Sequence, residues 1–113
     1  MKKLVVIMSI LVMNLYAAEK MQCKPLTKEY LEKDAIILDV RTQEEWDEGH
    51  TESAKHIVLN LIPLEVEQIK SWNKPVIAVC RSGGRSGQAT QFLKQNGVDV
   101  INGGPWQNVD QLI

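Results

Sequence analysis

Short apolar runs of strand length alternate with helix-like segments along most of this chain. The runs occupy residues 35–40, 56–59, 76–79 and 98–101. Continuously apolar strands are typical of a sheet that is covered on both faces, and strands that alternate with helices are typical of parallel pairing. We therefore predict an α/β fold with a mainly parallel sheet and helices on both of its faces.

Helix start signals lie before and after the first run. Thr27 is a candidate N-cap for a short helix through residue 33. Thr42 is followed three residues later by Glu45, which makes a capping box. This pair predicts a second helix that starts after Thr42 and ends near Gly49.

Two further helices are predicted in the second half of the chain. Pro63 fits the first turn of a helix, because proline is favoured at this position. The apolar positions of that helix would be Leu64, Val66, Ile69 and Trp72. Ser86 is a candidate N-cap for a helix that the pair Asn96 and Gly97 would end.

The first 18 residues have the pattern of a secretory signal peptide. Lys2 and Lys3 precede an apolar run over residues 4–15, and the small residues Ala17 and Ala18 follow it. The run is shorter than the roughly 20 apolar residues that a membrane span needs. We expect cleavage after Ala17 or Ala18 and a periplasmic or secreted protein.

The predicted signal peptide divides the chain into three parts. Residues 1–18 are the signal peptide, residues 19–34 an N-terminal segment, and residues 35–113 the folded domain. The length of 113 residues suits one small domain. A formal net charge of −1 argues against a nucleic-acid-binding protein, which usually carries a basic stripe. We expect a monomer without a nucleic-acid partner.

Cys80 directly follows the run 76–79 and begins a loop rich in glycine and arginine. The loop continues as Arg81, Ser82, Gly83, Gly84, Arg85 and Ser86. The thiolate is the reactive form of cysteine, and helix N-termini, inward backbone N–H groups and nearby cations stabilise it. Arginine also presents forked donors to oxyanions. The loop therefore predicts a nucleophilic Cys80 and a binding site for an anionic substrate in the residues after it.

Other kinds of cysteine site fit the sequence less well. His50 and His56 are the only histidines, and His50 is expected to pack at a helix end rather than to activate Cys80. Two distant cysteines and two histidines lack the ligand spacing of a zinc site. The loop also lacks the Gly-Lys-Ser/Thr ending of a phosphate-binding P-loop. A tight turn around an inert, buried cysteine stays an alternative.

The second cysteine, Cys23, raises a further alternative. In an oxidising compartment, two cysteines are often joined in a disulfide. A bridge between Cys23 and Cys80 would block chemistry at Cys80. A redox or non-catalytic thiol protein therefore stays open beside the enzyme.

Asp39 and Arg41 lie at the end of the first predicted strand. In parallel sheets, ligands bind beyond the carboxyl ends of the strands, where the Cys80 loop is also expected. The two segments are therefore predicted to line one pocket. We expect Asp39 and Arg41 to form a supporting ion pair behind the loop, with direct substrate contact as the alternative.

Three segments of the chain match motifs that occur together in one family. The loop from Cys80 to Ser86 has the pattern C-R-x-G-x-R-S at every fixed position, and residues 38–50 resemble the segment D-V-R…E-[FYW]…G-H-I. Residues 102–104 match a terminal G-G turn. In these motifs the chain resembles the single-domain rhodaneses, which are sulfurtransferases. With its predicted signal peptide, it is similar to the small periplasmic rhodaneses of the phage-shock type.

The resemblance implies a thiosulfate sulfurtransferase. The Cys80 thiolate would take the outer sulfur of thiosulfate or a similar donor, sulfite would leave, and cyanide or a thiol would accept the sulfur from the Cys80 persulfide. Arg81 and Arg85 would attract the anionic donor. No metal or organic cofactor is implied, and the partners are a small anionic sulfur donor and a thiophilic acceptor. No stable membrane partner is expected after signal cleavage.

The chain departs from the family pattern outside the loop. Thr51 stands where the family usually has an apolar residue and Ser53 where it has glycine, and Trp106 follows Gly104 unusually closely. A phosphatase of related fold is the closest enzymatic alternative. Its loop places five residues between cysteine and arginine, whereas four separate Cys80 from Arg85 here. The shorter loop favours a single sulfur atom over a phosphoryl group.

Overall fold

The computed structural model describes residues 23–113, which contain a four-stranded parallel sheet. The strands are β1 (Ile36–Asp39), β2 (Lys55–His56), β3 (Val76–Cys80) and β4 (Val100–Pro105), in the order β2-β1-β3-β4. All neighbouring pairs are parallel, with a bulge between Ala78 and Val79 where β3 pairs with β4. The predicted signal peptide lies outside the described residues.

Five α-helices and one 3₁₀ helix surround the sheet within the described part of the chain. They are α1 (Cys23–Glu32), α2 (Gln43–Glu48), the 3₁₀ helix (Leu59–Leu64), α3 (Val66–Ser71), α4 (Gly84–Gln95) and α5 (Trp106–Asp110). None of the helices in residues 23–113 has the length and apolar character needed to cross a membrane.

The two faces of the sheet carry separate apolar cores. Alternate residues of a strand point to opposite faces. One core contains Ile37, Ile77, Val79, Ile101 and, from α5, Val109, with side chains of α1 packed against it. The other contains Leu38, Val40, Val76, Ala78, Cys80 and Val100, with residues of the 3₁₀ helix, α3 and α4. This arrangement confirms the predicted α/β fold with helices on both faces.

Helix α1 packs on the sheet through Leu26, Tyr30 and Leu31. The Tyr30 hydroxyl donates a hydrogen bond of 2.5 Å to Oδ1 of Asp99, and this bond, with burial, raises the pKa of Tyr30 to about 12. The predicted N-cap at Thr27 is wrong: α1 already includes Cys23, and Thr27 lies buried inside the helix. The core contacts of α1 explain why the helix forms ahead of the capping signal.

The chain between β2 and α3 differs from the prediction. The expected strand over residues 56–59 is reduced to β2, although the N–H groups of Ile57 and Leu59 still bond carbonyls of β1 and Val40. Pro63 lies in the 3₁₀ helix and not in the first turn of an α-helix. Leu64 is 79% exposed and so does not belong to the buried face predicted for it.

Thr51 is the buried side chain whose polar atom has no hydrogen-bond partner among the described residues. It is 2% exposed, and an unpaired hydroxyl in such a place opposes folding. We expect Thr51→Val to stabilise the protein by about 1 kcal/mol, which is about 4–8 °C in Tm for a domain of this size. A thermal unfolding curve measures the change.

Thr90 provides the matched control for that substitution. It is also buried, at 7% exposure, but its hydroxyl donates to the Ser86 carbonyl at 2.7 Å. Thr90→Val removes a satisfied hydrogen bond and is expected to lower Tm. Equal effects of the two substitutions would show that the missing partner at Thr51 does not determine its contribution.

Candidate active site

Cys80 is the last residue of β3, a strand whose five residues are all buried. It carries a free thiol with no exposed surface, on the sheet face that α4 covers. The next strand in the sheet, β1, ends at Asp39, which lies opposite Val79. The sequence prediction placed both strand ends at one site, and the sheet order brings them side by side.

The loop after Cys80 turns backbone donors toward the sulfur. Gly83 has a left-handed φ of 102°, which residues with a side chain rarely adopt, and its N–H lies 2.9 Å from Cys80 Sγ. Helix α4 then starts at Gly84, so Ser86 is not the N-cap that the sequence predicted. Ser86 instead lies buried in the first turn, with its hydroxyl 3.3 Å from Sγ.

The loop favours the ionised form of Cys80. Burial raises the pKa of the thiol, because it disfavours the charged form. The Ser86 hydroxyl and the N–H groups of Ser86, Gly83 and Ser82 act against burial and together hold the pKa below its usual value. The stabilising groups are mainly neutral donors, whereas the sequence also suggested the arginines.

Arg85 forms a bidentate ion pair with Glu45 of α2. The guanidinium donates to the two carboxylate oxygens at 2.6 and 2.9 Å. The hydrogen bond from Arg85 lowers the pKa of Glu45 to about 2, helped by the Thr42 N–H and hydroxyl and opposed by burial. The predicted capping box is confirmed, and Glu45 serves both as its acidic member and as the partner of Arg85.

Asp39 and Arg41 form a buried ion pair behind the loop. Both are almost fully buried, at 0% and 4% exposure. Arg41 donates to the Asp39 carboxylate from Nε and from a terminal nitrogen, at 2.9 and 2.7 Å, and to the carbonyls of Glu45 and Gly49. Arg41 thus connects the end of β1 to α2 and to the residue that follows this helix. This geometry corresponds to the supporting pair expected from the sequence.

An open cavity of about 310 Å³ lies beside the loop. Its lining is Arg41, Glu45, Glu48, Gly49, Arg81, Trp106 and Gln107. Arg81 is exposed, in contrast to the paired Arg85 and Arg41. The Trp106 ring lies 5.0 Å from the Arg41 guanidinium carbon. The arrangement provides a cation and an aromatic wall next to the thiol loop.

The two histidines pack around Trp46. The His50 and His56 rings both stack on Trp46, at 3.6 and 4.7 Å between centroids. One nitrogen of His50 bonds the Trp46 carbonyl, and one of His56 bonds the Arg41 carbonyl. His50 therefore packs at the end of α2, as expected. Residues 23–113 contain no cluster of three or more ligand-type side chains that could hold a metal ion.

Asn102 is the site residue that the sequence prediction missed. Residues 102–104 were expected to form a turn, but β4 continues through them to Pro105. The Asn102 amide reaches the thiol loop and bonds Ser86 and Gly83. The only sequence signal at this position is a polar residue before two glycines, and this pattern does not predict a hydrogen bond with Ser86, 16 residues earlier.

Comparisons with known proteins were consistent with one another. The family model described as "Rhodanese-like domain" matches residues 24–105. A protein named sulfurtransferase from Allochromatium vinosum is 35% identical over 65 residues, which cover 58% of this chain and 60% of that protein. The chain therefore spans about 60% of that relative's length.

Two solved structures are similar to this chain over most of their own length. The crystal structure of SSP1007 from Staphylococcus saprophyticus has a TM-score of 0.63 and 34% identity, covering 75% of this chain and 91% of that one. A rhodanese from E. coli, solved with anions, has a TM-score of 0.59 and 28% identity, covering 66% of this chain and 89% of that one.

Proposed function

The chain belongs to the rhodanese-like domain family, and from this premise we propose that it is a sulfurtransferase acting through a persulfide on Cys80. The Cys80 thiolate attacks the outer sulfur of thiosulfate or a similar anionic donor. The sulfur–sulfur bond of the donor breaks, and its electron pair leaves with sulfite. An acceptor, cyanide or a thiolate, then attacks the outer sulfur of the persulfide and regenerates the thiolate.

The observation that carries this proposal is the cradle of donors around Sγ. The Gly83 N–H and the Ser86 hydroxyl lie 2.9 and 3.3 Å from the sulfur. Backbone N–H groups that are fixed in a buried site, such as that of Gly83, stabilise an anion strongly, because they need no reorganisation during the reaction. The same donors suit the thiolate and the terminal sulfur of a persulfide. Because Sγ is fully buried, the loop has to move before the sulfur donor can contact it.

Arg81 is the residue that we assign to attracting the donor. It is exposed, lines the 310 Å³ cavity and directly follows Cys80. The sequence assigned this role to Arg85 as well, but the Arg85 guanidinium is held by Glu45. We therefore assign Arg85 to fixing the first turn of α4 against α2. The similar E. coli rhodanese was solved with anions, which agrees with an anionic donor for this chain.

The paired state of Arg85 also argues against the phosphatase alternative. An arginine that binds a phosphoryl group must present its forked donors to the substrate. Both terminal nitrogens of Arg85 are instead bonded to Glu45. Together with the four residues between Cys80 and Arg85, this favours transfer of a single sulfur atom.

The remaining features of the proposed function rest on the sequence. We propose a monomer that needs no metal or organic cofactor, works in the periplasm or outside the cell after signal cleavage, and has no nucleic-acid or stable membrane partner. The redox alternative requires a Cys23–Cys80 bridge. Cys80 carries a free thiol, and the side chain of Cys23 lies outside the described residues.

A direct comparison of two substrates tests the proposal. We expect the purified protein to form thiocyanate from thiosulfate and cyanide, and to leave an aryl phosphate intact. Because Arg81 is the exposed cation that lines the cavity, Arg81→Ala is expected to raise KM for thiosulfate with a smaller effect on kcat. Phosphate release without thiocyanate formation would contradict the proposal.

A further inference from the structure

The side chain of Asn102 makes three hydrogen bonds within the described residues, and each reaches the thiol loop or its own strand. Its Oδ1 accepts from the Ser86 hydroxyl at 2.6 Å and from the Gly104 N–H at 3.0 Å. Its Nδ2 donates to the Gly83 carbonyl at 3.0 Å. The edge strand β4 is thereby joined to the residues that surround the Cys80 sulfur.

These partners fix which way the amide faces. The Gly104 N–H can only donate, so the atom facing it must be the amide oxygen. The Gly83 carbonyl can only accept, so the atom facing it must be the amide nitrogen. The Ser86 hydroxyl therefore has to donate its proton to Asn102 Oδ1 in this arrangement.

Ser86 has one proton for two acceptors. Its oxygen lies 2.6 Å from Asn102 Oδ1 and 3.3 Å from Cys80 Sγ. While the proton points at Asn102, the lone pairs of Ser86 face the sulfur. That orientation matches an S–H donor and opposes a thiolate, which itself needs a donor.

We propose that Asn102 is a positioning residue that holds the Ser86 hydroxyl in the orientation suited to the protonated thiol. When Cys80 loses its proton to the solvent, the Ser86 hydroxyl turns from Asn102 to the sulfur, and no covalent bond of Ser86 changes. Asn102 Oδ1 keeps the Gly104 N–H as its donor throughout. Asn102 thereby sets how readily the nucleophile ionises.

Charged groups near the thiol stay unchanged when Asn102 is replaced. They are Arg85 of α4 with its partner Glu45, the Asp39–Arg41 pair at the end of β1, and Arg81 in the loop. Residues 84–87 of α4 and 100–105 of β4 contain one charged residue, which is Arg85. An effect of Asn102→Ala therefore reports on hydrogen bonds rather than on altered charge.

A double-mutant cycle on thiol ionisation tests this inference. The thiolate fraction is measured from the ultraviolet absorbance of the thiolate as a function of pH. The absorbance of the matching Cys80→Ser protein is subtracted, because it contains the contributions of Cys23 and the tyrosines. We expect Asn102→Ala to raise the thiolate fraction about three- to tenfold below the titration midpoint, the factor that one net hydrogen bond is worth. In the Ser86→Ala background, the same substitution is expected to change nothing.

The control and the contrary outcomes are equally specific. Asn96→Ala removes a side-chain amide that bonds the Phe92 carbonyl at the other end of α4, and it is expected to leave the titration unchanged. If Asn102 had only a structural role, its removal would loosen the loop and lower the thiolate fraction. That result, no change, or an equal change with and without Ser86 would each overturn the inference.

If circular dichroism shows that Asn102→Ala is unfolded, Asn102→Asp provides a second test. Asn102→Asp is expected to lower the thiolate fraction, because a carboxylate binds the Ser86 proton more strongly and adds negative charge. The fall should be larger with Ser86 than in the Ser86→Ala background. Equal falls would overturn the inference. Thiol ionisation is read directly, so the result is independent of whether the protein transfers sulfur.

Discussion

Replacing Cys80 with serine is expected to reduce thiocyanate formation by more than about a thousandfold, the scale on which loss of an enzyme nucleophile acts. A serine hydroxyl cannot form a persulfide, and it is not ionised near neutral pH. Its small size allows it to occupy the same place between β3 and α4. The loss should therefore appear in activity and leave the Tm close to that of the unmodified protein.

Cys23→Ser is the matched control for this substitution. It removes the other cysteine of the chain and leaves the Cys80 cradle intact. We expect its rate of thiocyanate formation to equal that of the unmodified protein. If Cys23→Ser lost activity to the same extent, Cys80 would depend on Cys23, and the redox alternative would gain the support that the sulfurtransferase loses.

Removing Arg41 should cause the largest loss of stability. Arg41→Ala leaves the Asp39 carboxylate buried without its cation, and breaking such a pair costs about 3–5 kcal/mol. The carbonyls of Glu45 and Gly49 lose a donor as well. Urea unfolding, followed by circular dichroism, measures the change in free energy.

An exposed ion pair provides the comparison. Glu29 of α1 and Lys33, which directly follows this helix, lie 3.2 Å apart, with more than half of each side chain exposed. Exposed pairs contribute little, so Lys33→Ala is expected to cost less than about 1 kcal/mol. If Arg41→Ala and Lys33→Ala lowered the free energy of unfolding by similar amounts, burial would not make the Asp39–Arg41 pair more important for stability than an exposed pair.

Local signals in the sequence predicted the parts of the fold that depend on neighbouring residues. The capping box of Thr42 and Glu45 forms as expected, because both members lie within one helical turn. The apolar runs predicted β1 and β3, since both faces of these central strands are buried. At β2, a strand at the sheet edge, the same kind of run gave only two strand residues.

The site depended more on contacts between distant residues. Cys80 and its loop could be identified from the sequence, because the reactive groups are consecutive. The pairing of Arg85 with Glu45 joins residues 40 positions apart, and no local pattern shows it. Ser86 was predicted to belong to the anion-binding loop, but its contact with the Cys80 sulfur and the role of Asn102 were missed for the same reason. A serine near a helix start was read as a cap, but the fold directs its hydroxyl to the sulfur and to β4.

The mass of the Cys80-containing peptide tests the central claim most directly. The purified protein is incubated with thiosulfate, digested without reductant and analysed by mass spectrometry. We expect Cys80 to gain the mass of one sulfur atom and to lose it again when cyanide is added. An unmodified Cys80, or a Cys80 peptide joined to the Cys23 peptide, would contradict the account.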